Sequence, residues 1–258
     1  MIVHLYYLKG FIMKILITGA TSGIGAAFAR RFVRMGHEVT AVGRSAEKLR
    51  RLRGELGCTC VSCELSSEEN ILALHENYRD IDILINNAGF GAAGHFSDIP
   101  LGEDINMLDV NVRAPLMLMK LYLRDMKARG SGYILNVASI AAFMPGPKMS
   151  TYYASKAYIL RLTQAVAYEL HAQRSGVYAG VLCPGPVSTA FNQTAGVRFK
   201  LLSSADPDDI AKAAIYNMFK RRTVILPTLE AKLIHTAARL TPDAVLEAIS
   251  AFVNHIEK

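Results

Sequence analysis

Lys14-Ile-Leu-Ile-Thr-Gly-Ala-Thr-Ser-Gly-Ile-Gly25 is a short apolar run that leads into three glycines, Gly19, Gly23 and Gly25. Its first five residues have the composition of a buried strand, and a helical pattern follows over Ile24–Met35. Glycines permit a tight turn and the close approach of a pyrophosphate, and a helix N-terminus offers free N–H groups with a partial positive charge. This unit therefore predicts a phosphate-binding turn, although its first two glycines are spaced more widely than in the common dinucleotide fingerprint.

Strand-like apolar runs and helical patterns alternate along the rest of the chain. Parallel pairing is expected, because each crossover between parallel strands needs a helix, and strands of nearly solid Val, Ile and Leu indicate a sheet covered on both faces. We therefore predict an α/β fold, a doubly wound, seven-stranded parallel sheet of the Rossmann-like type in a single domain with a C-terminal helical tail. The predicted strands are Lys14–Thr18, Glu38–Val42, Cys58–Leu65, Asp82–Asn86, Tyr133–Val137, Val177–Cys183 and Thr223–Leu226. The predicted helices are Ile24–Met35, Ser45 or Ala46 to Leu56, one from about Ser67, one from about Glu103 to Arg129, Thr151–Gln173, one from Pro207, and a tail from Glu230 that breaks near Thr241-Pro242.

Residues 1–13 are expected to be an N-terminal extension to a domain over residues 14–258. The segment is apolar, but it lacks the basic region and small-residue cleavage site of a signal peptide. We interpret it as a mis-set start or a loose end. An added edge segment or a partner contact is the alternative.

The bulk composition excludes several classes of protein. The chain has 258 residues, and half of them are apolar, which is a globular balance. Its net charge is +7, but the basic residues are dispersed, and the densest stretch, Arg44–Arg53, also holds Glu47, so we expect no nucleic-acid binding. Cys58, Cys60 and Cys63 lie in or beside a predicted strand without a matching Cys or His pair, so we predict neither a metal site nor a disulfide framework. A reducing cytoplasm and no transmembrane segment follow as expectations.

The end of the second predicted strand indicates which dinucleotide the turn would bind. An acidic residue there bonds the ribose hydroxyls of NAD, whereas the strand here ends Val42-Gly-Arg-Ser45. A guanidinium forms paired, charge-assisted hydrogen bonds with a phosphate. Arg44 and Ser45 therefore favour NADP(H), with a solvated loop arginine as the alternative.

A tyrosine, a lysine and a serine form a candidate catalytic set. Carbonyl reduction by a hydride puts negative charge on the oxygen, and Tyr152 could supply the proton it needs. Lys156 lies one helical turn further on, and its charge would favour the phenolate and bring the pair closer to working pH. Ser139, at the end of the fifth strand, could donate a hydrogen bond to the same oxygen. Tyr153 is the rival proton donor, three residues from Lys156.

Together these motifs resemble the short-chain dehydrogenase/reductase family, in an NADP-preferring bacterial subgroup. The resemblance covers about Lys14 to Leu226 and includes the spacing of thirteen positions from Ser139 to Tyr152. The motifs that carry it are Thr18-Gly-x-x-x-Gly-Ile-Gly25, Asn86-Asn-Ala-Gly89, Asn111, Ser139, Tyr152-x-x-x-Lys156 and Pro184-Gly185.

The resemblance implies roles for further residues. Asn111 would anchor a water that relays protons to Lys156, and Lys156 would also bind the nicotinamide ribose. The backbone of Val187 and the hydroxyl of Thr189 would meet the nicotinamide carboxamide, while Glu64 stands where the family usually has Asp against the adenine. The full set of expected cofactor contacts is Gly19, Ser22, Gly23, Ile24, Gly25, Arg44, Ser45, Glu64, Leu65, Asn87, Ala88, Gly89, Tyr152, Lys156, Pro184, Gly185, Val187 and Thr189.

The residues expected around the reacting carbon are apolar. They favour an apolar ketone, aldehyde or secondary alcohol as a small-molecule substrate. Reduction of a 3-oxoacyl thioester is the second interpretation, and a cofactor-sensing binding protein without catalysis is the third. The expected pocket residues are Ala141, Phe143, Met144, Met149, Pro186 and Phe191.

An apolar stripe runs along the C-terminal helices. Core packing is its ordinary interpretation, and a dimer contact or a peripheral membrane surface is the alternative. The family resemblance implies a homodimer or homotetramer formed through the helices that hold Asn111 and Tyr152. The stripe consists of Leu229, Leu233, Ala237, Leu240, Val245, Leu246, Ile249 and Phe252.

Overall fold

The computed structural model describes residues 12–189, 191, 195–199 and 204–256. Its centre is a parallel sheet in the order β3-β2-β1-β4-β5-β6-β8, which confirms the predicted seven-stranded Rossmann-like fold. The segment from residue 1 to residue 11 lies outside the described part of the chain, so the expectation of an N-terminal extension falls there. The seven strands are β1 Lys14–Thr18, β2 Glu38–Gly43, β3 Thr59–Ser62, β4 Ile83–Asn86, β5 Gly132–Val137, β6 Val177–Leu182 and β8 Val224–Ile225.

Helices cover both faces of the sheet. One long helix was expected from about Glu103 to Arg129, but the structure divides it into two helices by a π turn over Asp109–Arg113. The helices are α1 Gly23–Arg34, α2 Ala46–Leu56, α3 Glu68–Asn77, α4 Leu101–Leu108, α5 Ala114–Arg129, α6 Ser150–Ala172, α7 Pro207–Phe219, α8 Leu229–Leu240 and α9 Asp243–Val253.

The two edge strands are shorter than predicted. β3 has four residues and β8 has two, whereas the apolar runs predicted Cys58–Leu65 and Thr223–Leu226. β3 pairs with β2 only as far as Ser62, opposite the end of β2 at Gly43. The next residues, from Cys63 to Leu65, leave the sheet and line a cleft.

The core consists of two apolar layers, one on each side of the sheet. Because side chains alternate along a strand, Ile15 and Ile17 join the layer beneath α1 and α7, while Leu16 joins the layer beneath α3 and α5. All three are fully buried. Burial of each such side chain contributes about 1.5–3 kcal/mol, so the strand that carries the glycine turn is firmly anchored.

The C-terminal tail contains a two-stranded ribbon that the sequence patterns did not predict. β7 (Val197–Phe199) pairs antiparallel with β9 (Asn254–Ile256), which follows directly after α9. The core interpretation of the apolar stripe is wrong for most of its members. Leu229, Leu233 and Leu240 are 76 %, 71 % and 82 % exposed, because α8 packs inward through Ala231 instead.

Several classes of feature are missing from the described ranges. No helix there combines the length and apolar character needed to cross a bilayer. The same residues hold no cluster of three or more His, Cys, Asp or Glu side chains with the geometry of a metal site. The four cysteines are all unpaired, and Cys58 Sγ lies 3.9 Å from Cys60 Sγ.

Candidate active site

The carboxyl ends of the central strands open into one cleft with a volume of about 800 Å³. The strand order reverses between β1 and β4, and ligands of doubly wound sheets bind at such a switch point. The glycine turn follows β1, Asn87 follows β4, Ser139 follows β5 and Pro184 follows β6. The fold therefore brings together motifs that lie far apart in the sequence.

The glycine turn has a backbone that only glycine adopts without strain. Gly19 and Gly23 have φ angles of 64° and 53°. A Cβ atom at Gly23 would lie 2.8 Å from Cγ2 of Thr189, so the turn approaches the loop after β6 closely. The N-terminus of α1 begins at Gly23 without a side-chain cap, which leaves its first N–H groups directed at the cleft.

Asn87 ties the glycine turn to the end of β4. Its Nδ2 donates to the carbonyl oxygens of Thr18 and Gly19, at 3.0 and 3.1 Å. The Thr18 hydroxyl accepts in return from the backbone N–H groups of Asn87 and Ala88, both at 3.0 Å. Gly25 lies behind the turn rather than in the cleft, since its Cβ would be 2.3 Å from the Gly19 carbonyl oxygen.

The far end of the cleft is cationic. Arg44 follows β2 with 64 % of its side chain exposed, and its Nη1 lies 3.9 Å from Oε2 of Glu64. Ser45 caps the N-terminus of α2, and its side chain accepts a hydrogen bond from the Lys48 N–H. Lys48 also lines the cleft, although it was not among the predicted site residues. Lys48 could have been recognised in the sequence from its position one helical turn after Ser45.

Ser139, Tyr152 and Lys156 line the opposite end of the cleft together. Ser139 lies close enough to the Tyr152 phenol to lower its pKa, and its Oγ accepts from the N–H of Ala141 at 3.1 Å and lies 3.5 Å from the Pro184 carbonyl oxygen. Lys156 Nζ donates to the Val137 carbonyl oxygen at 3.1 Å and lies 5.7 Å from the centroid of the Tyr152 ring. Helix α6 places the tyrosine and the lysine on the same side, four residues apart.

Burial shifts the pKa values of Tyr152 and Lys156 in opposite directions. Loss of hydration raises the pKa of the Tyr152 phenol, and the neighbouring Ser139 side chain lowers that pKa in part. The same loss of hydration lowers the pKa of the Lys156 ammonium to about 8. Our expectation of a tyrosine pKa closer to neutrality is wrong for the chain by itself, because burial raises that pKa and the neighbouring Ser139 lowers it only in part. Tyr152 therefore holds its proton at neutral pH.

Asn111 lies behind the cleft wall at the π turn between α4 and α5. Its side chain bonds both backbone groups of Phe90, with the Oδ1 accepting at 3.0 Å and the Nδ2 donating at 2.8 Å. Its Nδ2 also donates to Ser155 Oγ at 3.1 Å. A Cβ atom at Gly89 would lie 3.0 Å from both Asn111 Oδ1 and Lys156 Nζ. The π turn therefore brings Asn111 Oδ1 and Lys156 Nζ to the same side of Gly89.

The rival tyrosine, Tyr153, uses its hydroxyl elsewhere. It donates to Asn254 Oδ1 at 2.9 Å in a buried hydrogen bond. Its ring lies against Gly146, where an added Cβ would be 2.1 Å from the ring. Tyr153 is therefore engaged with the C-terminal tail, whereas Tyr152 faces Ser139.

The other expected cofactor contacts all line the cleft, and most of the expected substrate contacts do as well. Phe143 and Met149 are the exceptions. Phe143 packs against the ring of His235 at 4.6 Å between centroids, and Met149 is fully buried beneath the wall. The tail supplies lining residues that the sequence analysis missed, because no motif marks them: Ile234, Ile249, Ser250 and Val253.

Comparisons with known proteins agree with this geometry. Residues 13–198 match the short chain dehydrogenase family model. The chain is 32 % identical over 219 residues to the NADP-dependent 3-hydroxy acid dehydrogenase YdfG of Salmonella typhi, across 78 % of this chain and 87 % of that protein.

Two solved structures share both the fold and part of the sequence. A short-chain dehydrogenase from Sphingobium yanoikuyae in complex with NADPH has a TM-score of 0.78 and 32 % identity, across 91 % of this chain and 92 % of that one. The bulky-bulky ketone specific alcohol dehydrogenase from Comamonas testosteroni has a TM-score of 0.74 and 29 % identity, across 89 % and 92 %. The match of the family model to most of the chain establishes that this protein belongs to the short-chain dehydrogenase/reductase family.

Proposed function

We propose that the chain is an NADP(H)-dependent oxidoreductase that transfers a hydride between nicotinamide and the carbonyl or alcohol carbon of an apolar small molecule. The oxidoreductase class follows from family membership. The observation that carries the proposal is the shared cleft, which holds the glycine turn at one end and Ser139, Tyr152 and Lys156 at the other.

The residues of the cleft fit NADP(H). The positive φ angles at Gly19 and Gly23 leave room for a pyrophosphate against the N-terminus of α1. Arg44 and Lys48 offer two cations at the adenosine end, where a 2′-phosphate would lie. The bound cofactor would supply the hydride. The names of the Salmonella and Sphingobium relatives, which specify NADP and NADPH, support the same choice.

The protein's own residues would supply the proton. In the reduction, the carbonyl oxygen takes the proton of the Tyr152 hydroxyl while its carbon accepts the hydride. Ser139 would donate a hydrogen bond to that oxygen, and the Lys156 ammonium would favour the phenolate that remains. Asn111 would hold the Gly89–Phe90 backbone beside Lys156 and, as in the family, a water that returns the proton. A high tyrosine pKa suits the reductive direction, since the donor must start protonated.

An apolar substrate is supported by the lining near Tyr152. Among the described lining residues the charged side chains are Arg44, Lys48, Glu64 and Lys156. The first three follow β2 and β3, which lie beyond β1 in the sheet, away from β5 and β6. Ala141, Met144 and Phe191 pack in one apolar cluster with Tyr152, and Pro186, Ile234 and Ile249 add to the apolar lining of the cleft. The specificity for bulky ketones named for the Comamonas relative points to the same substrate class.

The proposal includes the oligomeric state of the protein and its cellular compartment. Leu101, Ile105 and Leu108 form one face of α4 and are 76 %, 50 % and 39 % exposed, which suits a homodimer or homotetramer. The four unpaired cysteines suit a reducing compartment such as the cytoplasm.

The decisive experiment is carbonyl reduction by Tyr152→Phe. We expect turnover to fall about a hundredfold or more, as for loss of a general acid, while NADPH affinity stays within about twofold. NADPH oxidation with a panel of apolar ketones, an anionic acyl substrate and a 3-oxoacyl thioester measures turnover, and NADPH fluorescence measures binding. Tyr168→Phe, an exposed tyrosine on the same helix, is the matched control.

Each alternative function has its own result in this panel. Preference for the thioester would favour the acyl-thioester reductase. NADPH binding by the wild type with no turnover of any carbonyl would favour a cofactor sensor. Near-normal turnover in Tyr152→Phe would contradict the proposed proton donor.

A further inference from the structure

The C-terminal end of the chain forms one wall of the cleft. Ile249, Ser250 and Val253 of α9 line it together with the glycine turn and Tyr152. Two polar residues in this segment, Ser250 and Asn254, are only 2 % and 0 % exposed. Buried polar side chains near a chain terminus need specific partners, because an unpaired buried donor or acceptor is costly. Besides the carbonyls of Leu246 and Glu247 within α9, their side-chain partners lie between Pro145 and Tyr153, on either side of Tyr152.

Asn254 joins β9 to the start of helix α6. Its Oδ1 accepts from the Tyr153 hydroxyl at 2.9 Å, and its Nδ2 donates to the Pro147 carbonyl oxygen at 3.0 Å. Tyr153 is the neighbour of Tyr152, and the centroids of their rings are 6.1 Å apart. Both ends of the Asn254 amide are therefore used to connect the tail to the residues around the proposed proton donor.

Two further contacts fasten the same segment. The Ser250 hydroxyl lies 2.7 Å from the Pro145 carbonyl oxygen. Lys148 Nζ donates to the carbonyl oxygens of Ala251 and Asn254, at 3.1 and 3.5 Å. The last carbonyls of a helix have no partner within the helix and carry partial negative charge. The Lys148 ammonium therefore stabilises the C-terminal end of α9.

We infer that Asn254, Ser250 and Lys148 form a C-terminal latch, in which Asn254 is a positioning residue that determines which substrates fit the cleft. The latch holds α9 against the side of the cleft next to Tyr152. Release of the latch lets α9 move away and disorders the apolar wall. Large substrates that contact this wall lose affinity, small carbonyls lose less, and the cofactor end is unaffected.

The kinetic test compares Asn254→Ala and Lys148→Met with the wild type. Lys212→Met, an exposed lysine on α7, is the matched control for the second variant. For a diaryl ketone we expect the KM to rise about fivefold to tenfold, as for loss of one buried hydrogen bond, and the KM for butanone to rise less than about twofold. The Kd for NADPH should stay within about twofold of the wild type. Equal losses for both ketones and for NADPH, or no change in any of them, would overturn the inference.

Hydrogen exchange of residues 243–256 tests the latch without turnover. Its amide protons should exchange faster in Asn254→Ala, in Lys148→Met and in the conservative Tyr153→Phe, but not in Lys212→Met. The substrate part of the inference rests on the proposed function, whereas this measurement does not. If the wild type reduces neither ketone, the proposed function fails while exchange still reports on the latch. Unchanged exchange in all the variants contradicts the latch itself.

Discussion

Lys156 carries a charge in a buried position. The stability of the folded protein should therefore depend on pH. Burial lowers its pKa to about 8, below the ordinary value of 10.5. Between these two pH values the unfolded chain binds more protons than the folded chain, so the stability of the folded state rises with pH. The neighbouring Cys183 thiol stays protonated there, because burial raises its pKa to about 12.

The pH dependence of Lys156→Met tests this shift. The variant lacks the titrating group, so the difference in unfolding free energy between wild type and variant should change in favour of the wild type from about pH 8 to about pH 10.5. Chemical denaturation at several pH values measures it. The variant also loses the hydrogen bond to Val137, which adds the same offset to the unfolding free energy at every pH. A free-energy difference that stays constant across that range would contradict the lowered pKa of Lys156.

Arg44 should determine the choice between the two nicotinamide dinucleotides. Its guanidinium would form charge-assisted hydrogen bonds with a 2′-phosphate, so Arg44→Ala should weaken NADPH binding about tenfold or more and NADH binding less than about twofold. Titration of each dinucleotide by fluorescence measures both affinities. Arg51→Ala, 79 % exposed on α2, is the matched control. Equal weakening of both dinucleotides would mean that Arg44 does not contact the 2′-phosphate.

At the scale of the elements, the junction of β1 and α1 depends on the absence of a side chain at Gly25. A Cβ there would lie 2.3 Å from the Gly19 carbonyl oxygen and 2.5 Å from Asn87 Nδ2. Gly25→Ala should therefore destabilise the fold by about 1–3 kcal/mol and weaken NADPH binding, since the turn must shift. Urea denaturation and NADPH titration measure the two effects.

Gly54 is the control for that substitution. It lies in α2 with nothing within 4 Å of an added Cβ. Gly54→Ala should be neutral or stabilise the fold by up to about 1 kcal/mol, because alanine favours the helix. Equal effects at Gly25 and Gly54 would argue against the close packing of the turn.

At the scale of the whole molecule, the exposed face of α4 should hold the subunits together. Ile105 lies in the middle of that face, between Leu101 and Leu108. Ile105→Lys should convert the assembly to monomers, because a charged ammonium would be buried in an apolar contact. Light scattering during size exclusion measures the mass. Leu72 is 42 % exposed on α3, and Leu72→Lys should leave the mass of the assembly unchanged. A monomeric wild type would contradict the proposal.

The sequence by itself determined the parallel sheet, the glycine turn and the grouping of Ser139, Tyr152 and Lys156. These follow from local signals: alternating apolar runs, glycines that permit positive φ, and side chains four residues apart on one helix. Parallel strands then bring their carboxyl ends to one edge, so the motifs meet without further information.

The tertiary structure alone decided the extent of the edge strands, the π turn at Asn111 and the position of the tail. Leu229 and Leu240 follow an apolar pattern but are exposed, while the polar Asn254 is fully buried. Periodicity cannot reveal such positions, because a buried amide is stable only where another part of the chain supplies its partners, here Tyr153 and Pro147. The wall next to Tyr152 thus depends on contacts between segments about a hundred residues apart, which no local pattern contains.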